Sequence, residues 1–160
     1  MLELLSPAGS PEAVRAAVQS GADAVYLGYG NFNARRNAVN FDEAALQEAV
    51  QYCHLRGVKV YLTLNTLLND RELTQAAKLV DQVSQMVQDL GVARMCRQVA
   101  PDLPLHASTQ MTIHSLDGAK AAADLGMTRV VVSRELSRDQ IAYLCDRSPV
   151  EIECFVHGAL

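Results

Sequence analysis

The chain lacks every short signature that would assign a chemistry on sight. Its 160 residues contain no C-x-x-C pair, no H-E-x-x-H, no G-x-S-x-G and no G-x-G-x-x-G. These absences remove, in turn, a simple redox or zinc pair, a metalloprotease helix, a serine nucleophile elbow and a dinucleotide loop. No stretch approaches the ~20 apolar residues of a membrane span. Met1–Leu5 is apolar but short, has no basic start and runs straight into Ser6-Pro7, so no targeting segment and no membrane partner are expected. Positive charge is also scarce: 14 Lys and Arg stand against 18 Asp and Glu, a formal charge of −4. The surface as a whole does not attract nucleic acid, and an RNA contact would need a local basic patch. Arg35-Arg36, or Arg129 with Arg134 and Arg138, could supply one, although their spacing reads equally as scattered solvated arginines. The four cysteines, Cys53, Cys96, Cys145 and Cys154, are far apart. They fit the reduced, buried thiols of a cytosolic protein, and a cytoplasmic location is expected.

What is present is ordinary and periodic. The chain is 49% hydrophobic and 20% charged, enough to bury a core. Leu2–Leu5 reads as a first strand, and Ser10-Pro11-Glu12 opens a helix with Ser10 as its cap and Pro11 at its first position. Ala24–Leu27 and Val58–Leu64 read as strands, as do Leu105–Ala107, Arg129–Val132 and Glu151–Val156. Helices are expected from Asp42-Glu43, over Arg71–Gln85 and Asp89–Val99, and after the caps Ser115 and Ser137. A helix end, a glycine and a strand recur at Ser20-Gly21, Arg56-Gly57 and Leu125-Gly126. Strands alternating with helices imply an α/β fold with a parallel sheet and right-handed crossovers.

About seven strands and about six helices are expected, each unit short, which favours an incomplete TIM-like (β/α) barrel. An open doubly wound sheet is the alternative, ranked second because Ser6-Pro7-Ala8-Gly9-Ser10 fits no phosphate loop. A complete eight-unit barrel needs ~250 residues. The chain also stops on a strand with no helix after it. It is therefore expected to be one partial domain, residues 1–160, from the front of a longer protein. One unit breaks the repeat: only Met86-Val87-Gln88 is left as a fourth strand, with no glycine before it. A short segment is expected to be missing there, with α-carbons spread apart between Val80 and Val87, near Ser84 to Met86.

Polar residues gather where strands end: Ser6, Tyr26, Asn65, Gln88-Asp89, His106-Ser108-Gln110, Ser133-Arg134-Glu135 and His157. In a barrel these positions share the rim built by the βα loops. For Ser6, Asn65, Asp89 and Ser133, capping the next helix is an equally good explanation. Histidine caps poorly, so His106 and His157 are the catalytic candidates. Glu153 joins them: on the interior face it would be a buried carboxylate needing a partner, such as Arg134. His106, Ser108 and Gln110 alternate along one extended stretch and are expected to share a face. The donor-rich loop holding Asn33 and Arg35 can hold a carboxylate or phosphate. No spacing specific to a metal ligand set is present.

The motifs, taken together and in order, carry a resemblance. Leu4-Leu5-Ser6-Pro7-Ala8-Gly9, Gly21–Gly28, Asn33-Ala34-Arg35, Leu105–Gln110, Ser133–Ser137 and the final EIECFVHGAL resemble the collagenase-like peptidases, peptidase family U-32. The family's name implies a peptidase of unassigned mechanism. Other members hydroxylate a base of ribosomal or transfer RNA, or act in ubiquinone hydroxylation. The LHASTQ and SRELS stretches look closer to the RNA-hydroxylating members. The catalytic candidates from strand-end position are His157, His106 and Glu153, and the candidates for substrate contact are Asn33, Arg35, Asn65, Asp89, Ser108, Gln110, Arg134 and Glu135. The resemblance adds weight to a substrate or RNA contact by Arg35, which lies in the motif Asn33-Ala34-Arg35. It also implies a [4Fe-4S] cluster held by cysteines beyond this chain, and none within it. The expected partner is tRNA, rRNA or a small substrate. The alternatives are a peptide substrate and a non-catalytic binding scaffold.

Overall fold

The computed structural model describes residues 2–29, 41–65, 84–87 and 89–158, with 84–87 described by their backbone alone. The strands are β1 (Leu5–Pro7), β2 (Ala24–Gly28), β3 (Lys59–Leu64), β4 (Ser84–Val87), β5 (Leu105–Ala107), β6 (Arg129–Val131) and β7 (Glu151–Glu153). The helices among the described residues are α1 (Pro11–Gln19), α2 (Glu43–His54), α3 (Leu90–Val99), α4 (Leu116–Asp124) and α5 (Arg138–Arg147). All seven strands form one parallel sheet in the order β1-β2-β3-β4-β5-β6-β7. A doubly wound sheet reverses its strand order partway. This one does not, so that alternative fails.

Helix starts follow the sequence closely. Ser10, Asp42, Ser115 and Ser137 each accept a hydrogen bond from a first-turn backbone N–H, and Ser137 with Gln140 forms a reciprocal capping box. The glycines of the repeat all take positive φ, which lets the chain leave each helix and turn into the next strand. Gly126 is the most constrained: φ is +81°, and an added Cβ would lie 2.9 Å from Arg97 Nε.

Strand limits are less well anticipated. The first strand is Leu5–Pro7 rather than Leu2–Leu5, because Leu5, Ser6 and Pro7 are the residues in register with β2. Pro7 is tolerated there because β1 is an edge strand among the described residues. The last strand is three residues long, Glu151–Glu153, not six, so Cys154 lies outside it. Ser84 and Gln85, expected at a helix end, belong to β4, which pairs without interruption with Tyr61–Leu64. That continuous register leaves no jump near Ser84 to Met86. The rest of the expected third helix, and any spacing across 80–83, lie outside the described residues.

The sheet is curled. Glu3 lies just before β1, yet its Oε1 accepts a hydrogen bond from Arg129 Nη1 on β6 at 2.7 Å. In a flat sheet, five strand spacings would separate those strands by about 24 Å. Alternate residues divide the two surfaces. Val25, Leu27, Val60 and Leu62 pack outward against α1 and α2. Leu64, Leu105, Ala107, Val130 and Val132 pack outward with Val92, Cys96, Ala122 and Leu144 of α3, α4 and α5. The intervening positions, among them Tyr61, His106 and Arg129, meet inside the curl. Cys53 and Cys96 are buried free thiols as expected, but Cys145 and Cys154 are free and exposed. No helix among the described residues is long and apolar enough to cross a membrane.

Candidate functional site

Two groups of polar residues occupy the two ends of this sheet. The group at the amino ends of the strands is interlocked. Glu3 accepts hydrogen bonds from Lys59 Nζ at 2.6 Å, Tyr61 Oη at 3.0 Å and Arg129 Nη1 at 2.7 Å. Arg129 also donates from Nε and Nη2 to one oxygen of Glu151, at 2.8 and 2.6 Å. Its Nη1 lies 3.5 Å from Glu153 Oε2, an ion pair too long for a strong hydrogen bond. The guanidinium is 5.3 Å from the centre of the Tyr61 ring, and that ring meets His106 edge to face with centroids 4.7 Å apart.

Burial and charge set the protonation of this group. Burial tends to raise the Glu3 carboxyl, but hydrogen bonds from Lys59 and Arg129 outweigh it and hold the group at about 2. Burial opposes charge on Arg129, while the bonds to Glu3 and Glu151 push its pKa up, so it stays cationic. Burial raises the Glu153 carboxyl against the pull of Arg129. His106 is lowered to about 4, first by burial and then by the nearby Arg129 charge. It is a neutral imidazole at physiological pH, only 3% exposed, and its Nδ1 has no hydrogen-bond partner among the described residues. A cavity of about 710 Å³ opens here, lined by Val58, Lys59, Tyr61, Pro104, His106 and Arg129 among others.

The group at the carboxyl ends is looser. Asp89 Oδ1 accepts from Gly91 N at 2.7 Å and Val92 N at 3.1 Å, so it caps α3. Ser108 is buried and its Oγ accepts from Gln110 N at 3.3 Å, opening a one-turn 3-10 helix, Thr109–Met111. That turn ends the expected alternation: His106 and Ser108 are buried, while Gln110 is exposed. Thr112 follows with φ +56°, a left-handed conformation uncommon for a β-branched residue. The next residue, Ile113, accepts from Ser133 N at 3.1 Å, which ties the loop after β5 to the end of β6. Arg134, Glu135 and His157 are exposed, and Asn65 is half-buried at the end of β3.

The nominated residues therefore separate. His106 and Glu153 come together around Arg129, while His157 lies beyond the end of β7, exposed and apart from them. The partner of Glu153 is Arg129, not Arg134. Asn33 and Arg35 lie outside the described residues. Sequence reasoning missed Glu3, Lys59, Tyr61 and the central role of Arg129. A signal was available: Arg129 alternates with the inward Val131 and stands opposite Glu151, two residues before Glu153, on the neighbouring strand. Among the described residues no group of three or more His, Cys, Asp or Glu is placed to hold a metal ion. The described cysteines, two buried and two exposed, likewise form no ligand set for an iron–sulfur cluster.

The comparisons with known proteins agree with this architecture. Among solved structures, "The Structure of the U32 Peptidase Mk0906" superposes with TM-score 0.76 at 14% identity, over 96% of this chain and 68% of that one. A glycerophosphodiester phosphodiesterase from Parabacteroides distasonis follows with TM-score 0.69 at 8% identity, over 98% of this chain and 85% of that one. At these identities the likeness is one of fold. Among curated proteins, the chain is 42% identical to the 23S rRNA 5-hydroxycytidine C2501 synthase of Escherichia coli, over 99% of this chain and 25% of that protein. It is 34% identical to the tRNA hydroxylation protein P of Helicobacter pylori, over 99% of this chain and 40% of that protein. It is also 33% identical to a collagenase of Porphyromonas gingivalis, over 99% of this chain and 42% of that protein. The chain thus spans a quarter to about two fifths of these relatives' length. The profile described as "Peptidase family U32" matches residues 9–160, nearly the whole chain, and the chain belongs to that family.

Proposed function

We propose that this chain is the front part of an RNA-modifying enzyme that hydroxylates a base of ribosomal or transfer RNA in the cytoplasm. The observation that carries the reading is the 42% identity, over 99% of the chain, to an rRNA hydroxycytidine synthase. Several tRNA hydroxylation proteins match over the same extent. The curled seven-stranded sheet is read as the greater part of a TIM-like barrel, which a further unit between β7 and β1 would close. In such a barrel the chemistry belongs at the carboxyl ends of the strands, where Gln110, Arg134, Glu135 and His157 are exposed and accessible to a macromolecule. Arg134 and Arg138, interleaved with Glu135 and Asp139, are the cations this end could turn to an RNA phosphate. The described residues supply no cluster ligands, so a [4Fe-4S] group would be held by cysteines outside this chain, and no step is derived through it.

The test is chemical. Nucleosides from rRNA and tRNA of a strain lacking the full-length protein should lose one species that is one oxygen heavier than its parent base, and the intact gene should restore it. An unchanged nucleoside profile, combined with gelatin cleavage by the purified protein that disappears in His157→Ala, would overturn the reading in favour of the peptidase alternative.

A further inference from the structure

We infer that the cavity at the amino ends of the strands is a binding site for a small uncharged ligand with a flat apolar body and one hydrogen-bonding group. The site lies at the other end of the sheet from the proposed RNA chemistry and does not rest on that reading. Three observations carry it. First, the volume, about 710 Å³, falls in the range of small-molecule pockets. Its lining includes Pro104 and the Tyr61 ring, which suit an apolar body.

Second, the charges around it are already matched. Arg129 is held by Glu3 and Glu151, and Lys59 by Glu3. An incoming anion would have to displace one of these carboxylates from Arg129, the buried cation, and an incoming cation would have to compete with Arg129 and Lys59. A neutral ligand disturbs neither pair. Third, His106 is a buried lining group with unused capacity. It is 3% exposed, its Nδ1 has no partner among the described residues, and its ring meets Tyr61 edge to face. Buried polar atoms are rarely left unsatisfied, and such an orphan marks a site where something binds. A neutral imidazole presents one nitrogen as acceptor and the other as donor. It can therefore take a hydroxyl or amide hydrogen without any change in charge.

The experiment uses the full-length protein labelled at histidine Cε1 and watched by NMR, with phenol as the neutral probe and benzoate as its anionic counterpart. The His106 signal is assigned as the one missing from His106→Gln. Phenol should shift that signal saturably at millimolar concentration, and benzoate should not. His106→Phe keeps the ring contact with Tyr61 but removes both nitrogens, and should weaken phenol binding roughly three- to tenfold, the loss of one neutral hydrogen bond. A His106 signal unmoved by phenol overturns the proposal. So does one that responds to benzoate at lower concentration than to phenol. Because the shift is read on the unaltered protein, the test stands even where His106→Phe fails to fold. Neither outcome touches the nucleoside measurement that tests RNA hydroxylation.

Discussion

The two ends of the sheet are built on different principles. At the amino ends, one arginine answers three carboxylates from two distant parts of the chain, and the surrounding side chains are mostly buried. At the carboxyl ends, polar side chains mainly serve their own local turn: Asp89 caps α3 and Ser108 caps a single turn. The first arrangement fixes the curl of the sheet, and its parts cannot change one at a time. The second leaves Gln110, Arg134, Glu135 and His157 exposed. Stability and adaptability are thus placed at opposite ends of the sheet.

The sharpest break in that comparison is Arg129→Met. It strands the partly buried Glu153 without its cation and leaves Glu3 with Lys59 alone, and should cost ~3–5 kcal/mol in urea unfolding. Arg134→Met, on the exposed rim, should cost under about 1 kcal/mol. Similar losses at both positions would erase the distinction.

Acid should find the same end first. Between the ordinary histidine value of 6.5 and about 4, an unfolded chain protonates His106 while the folded chain does not. The unfolded state binds more protons in that window, so stability falls as pH falls, by up to about 3 kcal/mol. Glu3 adds a second loss as pH falls from its ordinary 4.5 towards about 2, where its ion pairs are neutralised. His106→Phe should flatten the first slope and leave the second, as read from the urea midpoint across the acid range.

Gly126→Ala, in the turn leading into β6, forces a side chain onto φ +81° and against Arg97. It should lower stability by ~1–2 kcal/mol. Gly9, at the opposite end after β1, has open space and an ordinary φ, so Gly9→Ala should be close to neutral in the same thermal melt. A modest effect, about 1 kcal/mol for a lost helix cap, is expected from Asp89→Ala. The hydroxylation proposed for the full-length protein should persist in the folded variant. A collapse of turnover at unchanged stability would instead give Asp89 a direct part in substrate binding.

Much of the fold was legible because its signals are local. Ser10, Asp42, Ser115 and Ser137 announce helix starts within a few residues, and Gly21, Gly57 and Gly126 announce the turns into strands. The parallel order followed from that alternation. β4 was legible only in part: Met86 and Val87 were read as strand, but Ser84 and Gln85 carry no turn residue before them, and only pairing with Tyr61–Leu64 makes them one. The site was harder still. His106 was read as a rim residue from its place near a strand end, yet the curl turns it towards Tyr61 and Arg129. Glu3 could not have been chosen, because its partners lie 56, 58 and 126 residues away. Cross-strand partners in a curled sheet depend on the curvature itself, which no short window of sequence records.

The Glu3–Arg129 pair also bears on how the molecule assembles. A contact spanning 126 residues closes a very long loop, and it can form only when the strands between are already laid side by side. It belongs to the last stage of folding, after the rate-limiting step. Weakening it should leave the speed of folding almost unchanged and accelerate opening. The third residue of the chain then governs how long the finished structure lasts, while having little say in how quickly it is made.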